Sequence, residues 1–292
     1  MPNTILTPNI IAREALMLLR NNAVMANLVH RDYSNEFVPG VGDTITVRKP
    51  ATFVAKEFTG SGIDVQDATE SSTDVKLDKH LDVSFAVTSQ QLTMDINDFS
   101  QQLLVPAMQA FADKIDKYLI GLEADITNRV SHESGAFAPA DIVAARKFLT
   151  DANAPTTERR LVIGSQADAD LLMNEQFVSA DKVGDNGTAL RNASLGTKYG
   201  FDIYTDQNIN KTEGGYTPSI AFHKNAFALV TRPLALPNGA AKSAIVNYDG
   251  FGLRVVYGYD LNTKKDTISI DMLCGVKTLD KRLAAVVADS RA

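Results

Sequence analysis

The chain has 292 residues, 45% hydrophobic and 22% charged, the composition of an ordinary soluble globular protein with length for one large or two modest cores. A net charge of −6 and a pI near 5.3 exclude the basic footprint of a protein whose first task is to grip nucleic acid. A single cysteine, Cys274, excludes an intrachain disulfide and any multi-cysteine zinc site.

The apolar run at Ile10 and Ile11 is broken by Arg13 and Glu14, too soon for a secretory leader. Nowhere does an apolar stretch approach the roughly 18 residues of a membrane span. The expectation is a protein made and kept in a cytosol, with no membrane partner.

A short amphipathic helix is predicted over Asn9–Asn21, with Ile10, Ala15, Leu16, Leu18 and Leu19 apolar and Arg13, Glu14 and Arg20 wet. A second helical turn follows over Ala23–Val29. From Asn35 to Gln91 the period switches to two. Thr44, Thr46 and Arg48 alternate with Ile45 and Val47, and on the return Val75, Leu77, Leu81, Val83, Phe85 and Val87 share one face. Between these arms Lys56–Asp74 is rich in Gly, Ser, Thr and acids, which reads as the tip of a long two-stranded hairpin. An isolated hairpin is marginal in water and its edges invite pairing, so this one must rest on something. Either its own body or an adjacent copy of the chain provides the support.

Asp98–Arg129 reads as one long helix, a rod of roughly 45 Å. Leu104, Met108, Phe111, Ile115, Tyr118, Leu119, Leu122 and Ile126 recur at steps of three and four, and Asp98 with Gln101 suits a cap. Pro106 cannot donate to the helical ladder, so the helix either kinks there or starts at Val105 with Pro106 in its first turn. Such a helix serves as a core element or as a rod that also meets neighbours.

Beyond a break at Ser131–Ala138 the element types alternate. A helix is predicted from Pro139 to Ala152, a strand at Arg160–Ile163, and a helix capped by Ser165 with Asp168 and running through Met173. A polar loop covers Phe177–Leu195, and short strands cover Phe201–Thr205, Ser219–Phe222 and Phe227–Val230. This is a small mixed sheet flanked by helices, hence α+β or a compact α/β layer. After Pro233 and Pro237 long strands return at Ala244–Tyr248, Phe251–Tyr259 and Thr267–Lys277, and Leu283–Ala288 is a short apolar tail.

Catalytic patterns are absent. Gly164–Ser165 lacks the second glycine of a nucleophile elbow. Gly60–Ser61–Gly62 precedes no helix, so it makes no phosphate cradle. His30, His80, His132 and His223 lack ligand spacing, and Asp181, Asp185 and Asn186 lack the spacing of a calcium loop. No catalytic residue, cofactor or metal is expected.

Several local stretches resemble one family. Leu6–Thr7–Pro8–Asn9–Ile10–Ile11–Ala12–Arg13–Glu14–Ala15 is similar to the opening of the podovirus-type coat proteins, and so are Arg31–Asp32–Tyr33–Ser34–Asn35–Glu36–Phe37, Gly42–Asp43–Thr44 and Val47–Arg48–Lys49–Pro50. Pro106–Ala107 with Ala112–Asp113–Lys114–Ile115–Asp116 resembles the head of that family's spine helix. Ala221–Leu229 and Cys274–Gly275–Val276–Lys277 resemble its later lobe and exit.

The resemblance is to tailed-bacteriophage major capsid proteins with the Hong Kong 97-like fold, and it implies an organisation. Residues 1–35 would be an N-terminal arm, 36–92 an extended loop, 93–137 the spine helix of a peripheral domain, 138–232 an axial domain, and 233–292 the strands completing the peripheral domain. In the extended loop, Lys56, Glu57, Phe58, Asp64, Asp67, Glu70 and Asp74 would contact a neighbouring subunit. Pro106 and Gly121 would be bending points of the spine helix as the shell matures.

The implied partners are copies of the chain in pentamers and hexamers, a separate scaffolding protein, a portal and non-specifically held double-stranded DNA. The implied location is the virion, after assembly in the host cytoplasm. An encapsulin-like compartment shell and a soluble α/β enzyme are the two alternatives.

Overall fold

A computed structural model describes residues 8–33, 43–49, 71–88, 100–132, 135–178, 195–210, 215–239, 242–248 and 251–290, together with 53, 55, 57, 65, 192 and 193. In chain order the elements open with α1 (Pro8–Asn22), α2 (Met25–Leu28), β1 (Thr44–Lys49), β2 (Ser71–Lys76) and β3 (Lys79–Thr88). A π-helical turn (Ser100–Leu104), α3 (Val105–Ile120), a 3-10 turn (Gly121–Asp125) and β4 (Arg129–His132) follow. Next come α4 (Pro139–Asp151), β5 (Arg159–Ile163), α5 (Ser165–Leu172), α6 (Glu175–Val178), β6 (Thr197–Lys198), β7 (Phe201–Thr205), β8 (Thr217–His223) and β9 (Phe227–Arg232). The chain closes with β10 (Lys242–Tyr248), β11 (Phe251–Asp260), β12 (Lys265–Thr278) and β13 (Ala284–Asp289).

The long helix is composite, and this corrects the expectation of one rod to Arg129. The π turn runs directly into α3, whose 16 residues start at Val105 with Pro106 in the first turn, where its missing N–H costs nothing. The chain tightens to 3-10 geometry at Gly121 and leaves the helix at Ile126. It does so because the next residues are claimed by β13: Asn128 accepts the Val286 N–H at 2.8 Å, and its side chain donates to the Ala284 carbonyl at 3.0 Å. Asp98 lies outside the described residues.

The predicted hairpin is also divided. β1 pairs antiparallel with β2, Thr44 opposite Lys76 through Lys49 opposite Ser71. Beyond Leu77 and Asp78 the return strand changes partner, and β3 pairs with β12 from Cys274 opposite Lys79 to Lys265 opposite Thr88. The inward alternation continues across the break, so the sequence pattern hides it.

Two larger sheets organise the rest. One runs β10-β11-β12-β3, with β9 taking the far half of β12, Leu273–Thr278. The other runs β4-β13-β8-β5-β7-β6. It takes β4 and β13 from outside residues 138–232, while β9 from inside that range belongs to the first sheet. The apolar segment expected as a tail is thus an internal strand, parallel to β4 and antiparallel to β8. Ser165 is not a cap: Gly164 takes that position with no side-chain bond, and Asp168 instead accepts from the Thr205 hydroxyl at 3.2 Å.

Among the described residues three apolar cores result. The largest joins Ile11, Ala15 and Leu19 of α1, Met108, Phe111, Ile115 and Leu119 of α3, and Leu253, Val255, Ile268 and Ile270 of the first sheet. A second gathers Ile142, Leu149, Leu161, Leu171, Phe201 and Val287 around the six-stranded sheet. The third seats Val47, Val75 and Leu77 on Ala228, Val230 and Leu279.

Candidate assembly interface

The β1–β2 ribbon has two unlike faces. Val47 and Val75 point inward and are buried, which at their size contributes roughly 1.5–3 kcal/mol each. Leu77 donates to the Asp43 carbonyl at 2.8 Å and closes the base. On the outer face the Thr46 hydroxyl donates to Asp74 at 2.7 Å, and Lys76 pairs with Asp43 at 3.2 Å. Hydrogen bonds from Thr44 and Lys76 hold the Asp43 carboxyl below its ordinary range. The base of the ribbon is therefore anchored on its own chain, at β9 and Leu279.

Of the residues expected to meet a neighbour, Asp74 lies exposed in β2 and Glu57 is exposed. Lys56, Phe58, Asp64, Asp67 and Glu70 lie outside the described residues. Sequence reasoning passed over Phe53 and Val65, which are apolar yet 62% and 81% exposed on the same arm. Their signal was apolar character inside an acidic, Gly-rich stretch.

Pro106 and Gly121 mark opposite ends of α3, where π geometry gives way to α and α to 3-10. Gly121 keeps helical angles and has open space where a Cβ would stand. Just beyond it, Glu123 is buried and bonds Arg129 at 2.9 Å, while the Tyr216 hydroxyl donates to the same carboxylate at 2.9 Å. The Arg129 guanidinium also lies 5.2 Å from the centre of the Tyr216 ring. With Thr278 donating to Asp125 at 2.9 Å, this cluster ties the end of the helix to both sheets.

Asp116 was missed as well. It is 1% exposed, on the buried face of α3 beside Ala112, Ile115 and Leu119, and it accepts the backbone N–H of Val24 at 2.8 Å and of Ala26 at 2.9 Å. Val24 precedes α2 and offers no side-chain cap, so Asp116 caps that helix from outside. A charged residue at a core-facing helical position was the legible sign. Burial pushes its carboxyl up to about 7, with nearby Asp206 adding to the rise and the N–H donors opposing it.

The histidines are dispersed: His132 pairs with Asp141 at 3.2 Å, His80 with Asp271 at 3.5 Å and His30 with Asp32 at 3.4 Å, while His223 accepts the Asn225 N–H at 3.2 Å. Burial pushes the Cys274 thiol up to about 12, so it is an inert core group. Among the described residues no cluster of His, Cys, Asp and Glu could hold a metal, and no helix is long and apolar enough to cross a membrane.

No protein-family model and no curated relative matches the chain. Solved structures do. One of Mycobacterium phage Che8 is 20% identical with a TM-score of 0.69, covering 91% of this chain and 90% of that one. The capsid of cyanophage P-SCSP1u is 14% identical with a TM-score of 0.60, covering 92% and 89%. The chain has the Hong Kong 97-like fold of phage capsids. The holo-SrpI encapsulin complex of Synechococcus elongatus is similar too, at 13% identity and a TM-score of 0.54 over 100% of this chain and 93% of that one.

Proposed function

We propose that this chain is the major capsid subunit of a tailed bacteriophage, closing as pentamers and hexamers into an icosahedral head around double-stranded DNA. The observation that carries the reading is likeness over about nine-tenths of both chains to phage structures, including a capsid. A ribbon whose base is seated on its own chain, with Phe53 and Val65 bare to solvent, supports a neighbour that covers those side chains. Lys56, Glu57, Phe58, Asp64, Asp67, Glu70 and Asp74 would lie in that contact, and Pro106 and Gly121 would absorb bending at the ends of α3 as the shell matures.

In this reading residues 1–35 are the arm, 36–92 the extended loop, 93–137 and 233–292 the peripheral domain, and 138–232 most of the axial domain, which β4 and β13 complete. A scaffolding protein and a portal are the expected assembly partners, and the virion the final location. The acidic charge suits a container that holds DNA without gripping it. The subunit performs no catalysis.

The second reading, an encapsulin-like compartment, is favoured by likeness to the encapsulin over the whole chain. Electron microscopy of the purified protein, expressed with its neighbouring genes, tests both. Closed shells carrying DNA support the phage head, closed shells carrying an enzyme support the compartment, and a monodisperse small oligomer at high concentration refutes both.

A further inference from the structure

The α1–α2 pair is held on α3 by an unusual group. Polar contacts fix the start of α2 to the helix below it and end on one carboxylate, Asp116, among them the N–H groups of Val24 and Ala26. Around it stand the fully buried Met25 and Ala26 of α2. From the loop after β7 comes Asp206, also 1% exposed, whose Oδ1 accepts the Asn208 N–H at 2.8 Å and whose Oδ2 has no partner among the described residues. Asp113, one turn earlier on α3, takes a 3.4 Å bond from the Asn208 amide and adds to the negative potential at Asp206. At the other end of α2 the guanidinium of Arg160, from β5, meets the Leu28 carbonyl.

We propose that Asp116 is a proton-operated latch that holds α1–α2 on the long helix and lets go when its carboxyl ionises. With the proton on, the site is neutral and the two N–H bonds close an apolar seam. When the proton leaves to solvent, a full negative charge stands in a covered pocket facing a second carboxylate, and two N–H dipoles offset only part of its lost hydration. Swinging α1–α2 away returns water to the charge, so ionisation and undocking favour one another. This coupling does not depend on whether the chain builds a shell. Within a shell it would free the arm in response to its surroundings.

A carboxyl that titrates at about 7 when covered and from 3.8 when free makes the docking constant fall about tenfold between pH 6 and pH 8. Hydrogen exchange on the full chain, corrected for the intrinsic effect of pH and read on peptides covering residues 8–28 against β12 peptides, measures this directly. Wild type should lose about tenfold in relative protection from pH 6 to pH 8, and Asp116→Asn should show no pH dependence. Asp206→Asn, which removes a nearby negative charge, should make the loss smaller than in wild type. Equal protection at both pH values in wild type overturns the proposal, as does an unchanged tenfold loss in either variant. Should Asp116→Asn fail to fold, wild type against Asp206→Asn decides.

Discussion

Gly275 of β12 lies directly beneath Lys76: a Cβ at Gly275 would stand 2.0 Å from the Lys76 carbonyl oxygen and 3.3 Å from the Leu77 Cα. The link between ribbon and first sheet thus crosses the exit of β12 with no room for a side chain. The obstruction is backbone, which cannot rotate aside.

Gly275→Ala should therefore cost about 3 kcal/mol through overpacking. Gly121→Ala faces open space in a helical conformation and should be neutral or stabilising by up to about 1 kcal/mol. Urea midpoints of the two variants check this, and equal midpoints would refute the steric account.

Asp271 and Arg254 form a nearly buried pair across β11 and β12, with the Arg254 Nε donating at 2.8 Å. Asp271→Ala removes the acceptor of two Arg254 nitrogens but leaves the guanidinium the Ala235 carbonyl and the more distant Asp82 in the same row, and should cost about 2 kcal/mol. The exposed Lys147–Asp151 pair of α4 supplies the contrast, since Asp151→Ala should change stability by less than about 0.5 kcal/mol. Thermal or urea unfolding that ranks them the other way would count against the packing described.

Asp116 also gives global stability a sign with pH. The unfolded chain releases this proton from 3.8 upward and the folded chain only at about 7, so between those values the unfolded state holds fewer protons. Stability from this group is whole below about pH 4 and lost as pH rises to 7, on the order of 4 kcal/mol. Other carboxylates slope the opposite way, so the quantity to measure is the difference between wild type and Asp116→Asn at pH 5 and pH 7.5. A difference that stays constant across the two would sink this assignment.

Replacing residues 51–70 by a short Gly-Ser turn keeps β1, β2 and their seat on Ala228, Val230 and Leu279. The expected product folds with an unchanged circular dichroism spectrum and melting point but builds no closed shell. Normal shells in the electron microscope would remove the outer ribbon from assembly.

The elements that read clearly from sequence are those with one wet face. Over Leu253–Val256 of β11 and Thr267–Ile270 of β12 buried positions alternate with more open ones, and α1 and α4 carry a single apolar stripe, so their spans emerged within a few residues. What stayed hidden depends on distant partners. β13 is buried on both faces through Ala284, Ala285, Val286 and Val287, so it has no period to read and passes for a tail. The helix ends early because Asn128 and Arg129 are taken by that same strand. The change of partner at Leu77–Asp78 leaves no trace because the inward phase is kept. The acidic character of Lys56–Asp74 was legible as composition, whereas the Asp116 cap required knowing that Val24 lies against α3.

The internal place of β13 has a consequence for biosynthesis. Its neighbours β4 and β8 are translated before it and cannot adjoin one another without it, so each emerges from the ribosome with a bare backbone edge and an empty slot between them. Closure of that slot is a late step in the life of the nascent chain. A premature stop before Ala284 would leave the slot open to any passing strand, including one from a sister molecule.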